Sequence, residues 1–241
     1  MKPNLPPVER GEHVEYAVGA TRLALLPERA AWVDAARMLL IADLHLGKAS
    51  SFRRHGVPVP EATTADNLER LSLLCAAWQP RCIAFLGDFL HAPESRAAST
   101  LDALAAWRRD HAHIVLLLVR GNHDRRAGDP PAWLGASCVD EPHGIAGARG
   151  LHLSHYPRRV DGTIVVAGHV HPCAVAGRGF ERVRLPCFHA AEGCLTLPAF
   201  GAFTGMHPIE RAEGDRVFVV AGDRVVELPA RGGPSATARS S

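Results

Sequence analysis

No apolar run in this 241-residue chain approaches the roughly 20 residues that a membrane-spanning helix needs, so no bilayer span and no membrane partner is expected. The opening Met1-Lys2-Pro3-Asn4-Leu5-Pro6-Pro7 is polar and proline-rich, and no apolar stretch follows that can serve as a signal-peptide core. A soluble, cytoplasmic protein is the expectation. No C-x-x-C pair occurs among the six cysteines, which removes the commonest zinc and redox spacings. Cys187, His189 and Cys194, with Cys173 upstream, form one loose group. It fits no common zinc pattern, so packed free thiols are expected there, with a structural zinc as the alternative. The formal net charge of +2 is too small to argue for nucleic acid by itself. No internal repeat and no second domain is visible. Residues 1–229 read as a single domain, and residues 230–241, rich in Gly, Ser, Ala and Arg, read as a disordered tail.

What is present is a core and a pattern. A hydrophobic fraction of 47% against 22% charged residues is ample for a folded interior. Residues 13–18, 22–26 and 30–33 read as short strands. Thr63 to Trp78 reads as a helix, with Leu68, Leu71, Leu74 and Trp78 at helical spacing and Pro80 ending it. Ser95 to His111 reads as a second helix, with Ala98, Leu101, Leu104, Ala105 and Trp107 on one side. Strand and helix alternate through the first half, the signature of a parallel sheet. Beyond Leu151 strands follow one another with short turns, at 150–154, 163–168, 173–176, 181–186, 194–198, 216–220 and 224–228. Between Asn122 and His155 one helical turn and no large cap is expected. The whole reads as α/β, two sheets packed face to face with helices outside.

Five short apolar runs each end in residues with metal-ligand chemistry. They lead to Asp43 and His45, to Asp88, to Asn122, to His155, and to His169 and His171. Strand C-termini in an α/β sheet share one edge, so these seven residues are expected to meet there. Carboxylate, amide and imidazole donors without sulfur suit Mn²⁺, Fe²⁺ or Zn²⁺. Seven donors suit two divalent ions, which a bridging carboxylate holds about 3.5–4 Å apart; Asp88, alone in its cluster, is the natural bridge. A metal pair of this kind supplies a hydroxide nucleophile for hydrolysis. A general acid must protonate the leaving oxygen. His123 follows a ligand directly and is the candidate, with Asp124 expected to orient it and raise its pKa.

Asp43-x-His45, Gly87-Asp88, Gly121-Asn122-His123-Asp124, His155 and Gly168-His169-x-His171 resemble, in order, the five motifs of the calcineurin-like metallophosphoesterase superfamily. The resemblance implies a four-layer α/β/β/α sandwich. It implies one metal on Asp43, His45, Asp88 and His171, and the other on Asp88, Asn122, His155 and His169. The chain departs from the frequent G-D-x-x-D by placing His91 at the last position, beside the ligands or against the substrate, or simply packed.

A narrower resemblance rests on Leu40 to Lys48, continuing through Phe52 to Pro60, and on Leu197 to Gly205. These segments are similar to the bacterial ligase-associated DNA damage response endonucleases. That implies Mn²⁺-dependent cleavage of DNA phosphodiesters, particularly in single strands. It also implies partners in an ATP-dependent DNA ligase, a helicase and a second nuclease. Lys48, Arg53, Arg54, Arg120, Arg125, Arg126, Arg158 and Arg159 flank the ligand motifs. Of these, Arg53, Arg54, Arg125 and Arg126 are the expected phosphate contacts. Phe52 and Phe203 can stack on a base or pack. The competing expectations are a small-molecule phosphodiesterase or nucleotide pyrophosphatase, and a non-enzymatic DNA-repair scaffold.

Overall fold

The computed structural model describes residues 11–19, 21–49, 52, 63–177 and 181–230. The tail expected from residue 230 falls outside them from 231 onward, as do Arg53 and Arg54.

The first sheet has seven strands in sequence order: β1 (Val14–Val18), β2 (Thr21–Leu26), β3 (Ala30–Val33), β4 (Met38–Ile41), β5 (Cys82–Leu86), β6 (Val115–Val119) and β7 (Ala136–Val139). The first four are antiparallel neighbours, and β4 through β7 are parallel. β4, β5 and β6 read as unbroken apolar runs because both of their faces are covered.

The parallel connections carry α1 (Thr63–Trp78) and α2 (Ala98–Asp110), with a short α3 (Asn122–Ala127) after β6. Leu68, Leu71, Leu74, Cys75 and Trp78 of α1 join Leu104 and Trp107 of α2 in one core against the outer face of this sheet.

The second sheet follows the order β14 (His207–Pro208), β11 (Pro172–Ala176), β12 (Val183–Ala191), β13 (Cys194–Thr196), β10 (Ile164–Ala167), β9 (Leu151–Leu153) and β8 (His143–Gly144). β15 (Arg216–Ala221) pairs with β12, and β16 (Arg224–Glu227) pairs with β15. Leu40, Leu86, Val166, Phe188, Leu195 and Phe218 form the core between the sheets.

Three expectations need correction. The helix foreseen from Ser95 to His111 is split. Pro93–Arg96 is a 3-10 turn, Ala97 is extended (φ −56°, ψ 144°), and α2 starts at Ala98, which is exposed. Ser95 is fully buried, and its Oγ accepts the Ala92 N–H at 3.1 Å, so its side chain serves the turn. β7 was not foreseen, because Ala-Ser-Cys-Val is half-buried and lacks an apolar run. β12 runs to Ala191 rather than stopping at residue 186, changing partners from β11 to β13 and β15 on the way. Among the described residues no helix covers the outer face of the second sheet. No helix there is long and apolar enough to cross a membrane.

Candidate metal centre

Five loops at one edge present the seven candidate ligands. Asp43 and His45 follow β4, Asp88 follows β5, Asn122 opens α3, His155 follows β9, and His169 and His171 follow β10. Asp43 (φ 52°), His45 (46°), Asp88 (52°), His169 (70°) and His171 (52°) all sit in the left-handed region. Side-chain-bearing residues rarely do so, at about 1–3 kcal/mol each, so the fold holds these five against local preference.

The donors fall into two sets that share Asp88. On one side Asp43 Oδ1, His45 Nε2 and His171 Nε2 are buried without a hydrogen-bond partner. His171 Nε2 lies 3.4 Å from Asp43 Oδ1, and His45 Nε2 lies 3.6 Å from Asp88 Oδ2. An orphaned buried polar atom costs about 1–3 kcal/mol, so three of them facing one space fit a cation. On the other side His155 Nε2 is 2.9 Å from Asn122 Oδ1, 3.1 Å from His169 Nδ1 and 3.5 Å from Asp88 Oδ1. His155 Nδ1 faces the Leu86 carbonyl at 2.9 Å, and His171 Nδ1 faces the Gly205 carbonyl at 3.1 Å. A carbonyl can only accept, so both Nδ1 atoms carry the proton and both Nε2 lone pairs point inward.

Electrostatics agree. Burial pushes the Asp88 carboxyl up to about 6, with His155 opposing and Asp43 reinforcing. Burial and the Lys48 ammonium carry His45 far below the ordinary histidine range, and burial and His155 lower His169. Neutral imidazoles beside carboxylates that repel one another are what a divalent ion stabilises. The residues fit a pair of such ions with oxygen and nitrogen donors.

Residues outside this set hold it in place. Asp43 Oδ2 accepts the His169 N–H at 2.9 Å, joining the two sheets at the site. Glu141 accepts the N–H of His155 at 2.7 Å, that of Tyr156 at 2.9 Å and the Ser154 hydroxyl at 2.8 Å, and it pairs with Arg158. Burial alone would raise the Glu141 carboxyl, but these donors bring it below its ordinary value. Sequence reading missed Glu141, because a lone Glu before Pro142 carries no motif.

Asp124 is the main correction. It was expected to orient the His123 ring. Instead it is buried and accepts four backbone N–H groups: Asp88 at 2.7 Å, Gly121 at 2.9 Å, Phe89 at 3.0 Å and Leu90 at 3.4 Å. Its oxygens are taken up by the ligand loops. The His123 ring is set by a different partner, with Nδ1 2.5 Å from the His91 carbonyl and Nε2 turned toward Asp88, 3.8 Å from Oδ2. His91 lies beside the ligands, its Nδ1 3.2 Å from His45 Nδ1 and its ring stacked on His123 at 4.8 Å. Burial, Lys48 and His123 bring His91 down to about 4, so it is uncharged near neutrality.

The basic rim is thinner than the sequence suggests. Arg120 makes a two-point pair with Asp129 at 2.7 and 2.8 Å, Arg125 lies 3.5 Å from Asp140, and Arg159 lies 3.8 Å from Asp161. Arg126 is exposed with no ion pair among the described residues, and Lys48 sits close enough to His45 and His91 to lower both. The cysteine group does not form a site. Cys187 shares the outer face of β12 with His189. Cys173 sits opposite Pro186, on the other face. No cysteine belongs to a cluster of potential metal donors among the described residues, and burial pushes the Cys187 thiol up to about 12.

Two glycines permit the geometry. A Cβ on Gly87 (φ +78°) would lie 2.2 Å from His155 Nδ1. One on Gly121 would lie 2.3 Å from Asp88 Oδ1 and 2.7 Å from its nitrogen.

No protein-family model and no curated protein matches the sequence. Among solved structures, the nuclease MPE of Pseudomonas putida is 40% identical, with a TM-score of 0.78 over 90% of this chain and 100% of that one. The phosphoesterase Yfce of E. coli is 13% identical, with a TM-score of 0.41 over 80% of this chain and 99% of that one. With the nuclease matched along its full length and the five ligand loops of the two sheets meeting in one site, the chain belongs to the calcineurin-like metallophosphoesterases, hydrolases of phosphodiesters that work with bound divalent metal.

Proposed function

We propose that this protein is an Mn²⁺-dependent endonuclease that hydrolyses phosphodiester linkages of single-stranded DNA, in a repair setting. The observation that carries the reading is the pair of donor sets sharing Asp88, with orphaned atoms on one side and lone pairs directed inward on the other. Asp43, His45, Asp88 and His171 would hold one ion, and Asp88, Asn122, His155 and His169 the other. When bound, the ions supply Lewis acidity at the phosphoryl oxygens and a nucleophilic oxygen at neutral pH.

His123 is the general acid in this reading. Its Nδ1–H is donated to the His91 carbonyl, so Nε2 is the atom that delivers a proton to the leaving oxygen. His91 positions His123 through that carbonyl and by stacking, and it buttresses His45. Support for a nucleic acid substrate comes from the similarity to a nuclease and from Lys48 and Arg126 at the ligand edge. The test is cleavage of circular single-stranded DNA, which has no ends. Mn²⁺ should give linear and shorter products, and His123→Ala should lower kcat by about 10²–10⁴-fold. Activity confined to DNA ends, or a His123→Ala variant with full activity, would count against the reading.

A further inference from the structure

The segment Ala199–Thr204 is tied to the first ligand loop and to α1. Phe200 N–H donates to the Ala42 carbonyl at 2.8 Å, and Gly201 N–H donates to the Asp43 carbonyl at 3.1 Å. Ala202 N–H donates to Asn67 Oδ1 at 3.1 Å, and the Asn67 amide nitrogen reaches back to the Leu44 carbonyl at 3.5 Å. Asn67 is almost fully buried, so its amide is committed to bridging the two loops. Arg70 donates to the Phe200 carbonyl at 2.9 Å, and its guanidinium lies 4.2 Å from the centroid of that ring. Thr204 Oγ1 closes the turn by donating to the Gly201 carbonyl at 2.8 Å. A Cβ on Gly201 would sit 2.7 Å from the Leu44 carbonyl oxygen, which shows how closely the loops approach.

A backbone fixed at this many points can place a side chain with little loss of freedom on binding. The side chain it displays is a phenyl. Phe200 is fully buried, whereas Phe203, three residues on, is 45% exposed and contacts no other ring among the described residues. The neighbouring aromatics are already used: Phe52 is stacked on His91, and Tyr156 lies 4.3 Å from His169. Phe203 borders a narrow crevice whose other walls include His45, Lys48, Thr63 and Thr64. The ring therefore shares this crevice with His45, one of the candidate ligands, and with Lys48. Lys48 has no carboxylate within 4.0 Å among the described residues, which leaves its ammonium for an anion.

An exposed aromatic face on a rigid loop beside a cation and a phosphodiester centre matches how single strands are held without sequence readout, since every base offers a π-face. We propose that Phe203 is the stacking platform for a nucleobase flanking the scissile phosphate; this rests on the single-strand nuclease reading above.

The test compares the wild type, Phe203→Ala and Phe203→Tyr on two substrates. One is a single-stranded oligonucleotide series with one abasic nucleotide moved along it. The other is a short abasic strand, a small diester with neither a base nor any other aromatic ring to stack. Phe203→Ala should raise KM for the intact oligonucleotide by about 5- to 150-fold, the loss of one stacked base. The loss on the small diester should stay below about twofold, and Phe203→Tyr should restore most of the oligonucleotide loss. An abasic nucleotide at one position should raise KM for the wild type by a similar factor and add nothing to the Phe203→Ala variant. An oligonucleotide KM unmoved by Phe203→Ala, or equal losses on both substrates, would overturn the platform and leave the nuclease reading standing. A wild type that hydrolyses the small diester but no oligonucleotide would remove both.

Discussion

Asp124 Oδ2 accepts the backbone N–H of Asp88 at 2.7 Å and that of Gly121 at 2.9 Å, so one buried carboxylate fastens the second ligand loop to the third. Asp88 is the residue both donor sets share, and its left-handed backbone needs such a restraint. Asp124→Asn replaces one acceptor atom with a donor facing N–H groups. Its divalent-metal affinity should fall about 10–100-fold, read by calorimetric titration. An Asn variant that binds metal normally and changes only the pH profile of kcat would instead place Asp124 on the His123 ring.

Glu141 yields a pH-dependent prediction. Its carboxyl lies below the ordinary value in the folded chain, so the ionised form is the one the fold prefers. Its stabilisation is therefore fully present above the unfolded pKa of about 4.3 and is lost as pH falls through the folded value. Glu141→Gln should lower Tm at pH 7, and the gap from the wild type should close as both are taken below about pH 4. A gap of constant size from pH 7 to pH 3 would show that shape, not charge, is what Glu141 contributes.

The two site glycines should respond differently to an added methyl group. Gly121 has φ −94°, open to any residue, so Gly121→Ala meets only the contacts with Asp88 and His155. Gly87→Ala adds a disfavoured φ of +78° to a 2.2 Å clash with His155. Both should lose activity. Gly87→Ala should be the less stable in urea, by about 1–2 kcal/mol for its left-handed residue. Equal stabilities would mean that the backbone at residue 87 relaxes freely.

Much of the framework was legible because it rests on local signals. α1 occupies the expected Thr63 to Trp78, since its apolar residues recur at helical spacing and Pro80 follows. The ligand loops were legible because each closes an apolar strand; parallel pairing aligns them within each sheet, and the packing of the two sheets brings both groups together. What escaped notice depends on contacts distant in sequence. Asp124 looked like a partner for its neighbour His123, yet it serves backbone groups 34 to 36 residues away. Glu141 clamps His155 through main-chain N–H groups, which leave no trace in residue type. The rim arginines read as free cations until Asp129, Asp140 and Glu141 folded against them. Arg53 and Arg54 remain expectations, outside the described residues.

The shared role of Asp88 is tested most directly by diffraction at the manganese absorption edge, on crystals grown with Mn²⁺. Two anomalous peaks per chain are expected: one contacted by Asp43, His45 and His171, the other by Asn122, His155 and His169, with Asp88 touching both. A single peak, or two that do not share Asp88, would contradict the two-ion centre on which the proposed hydrolysis depends.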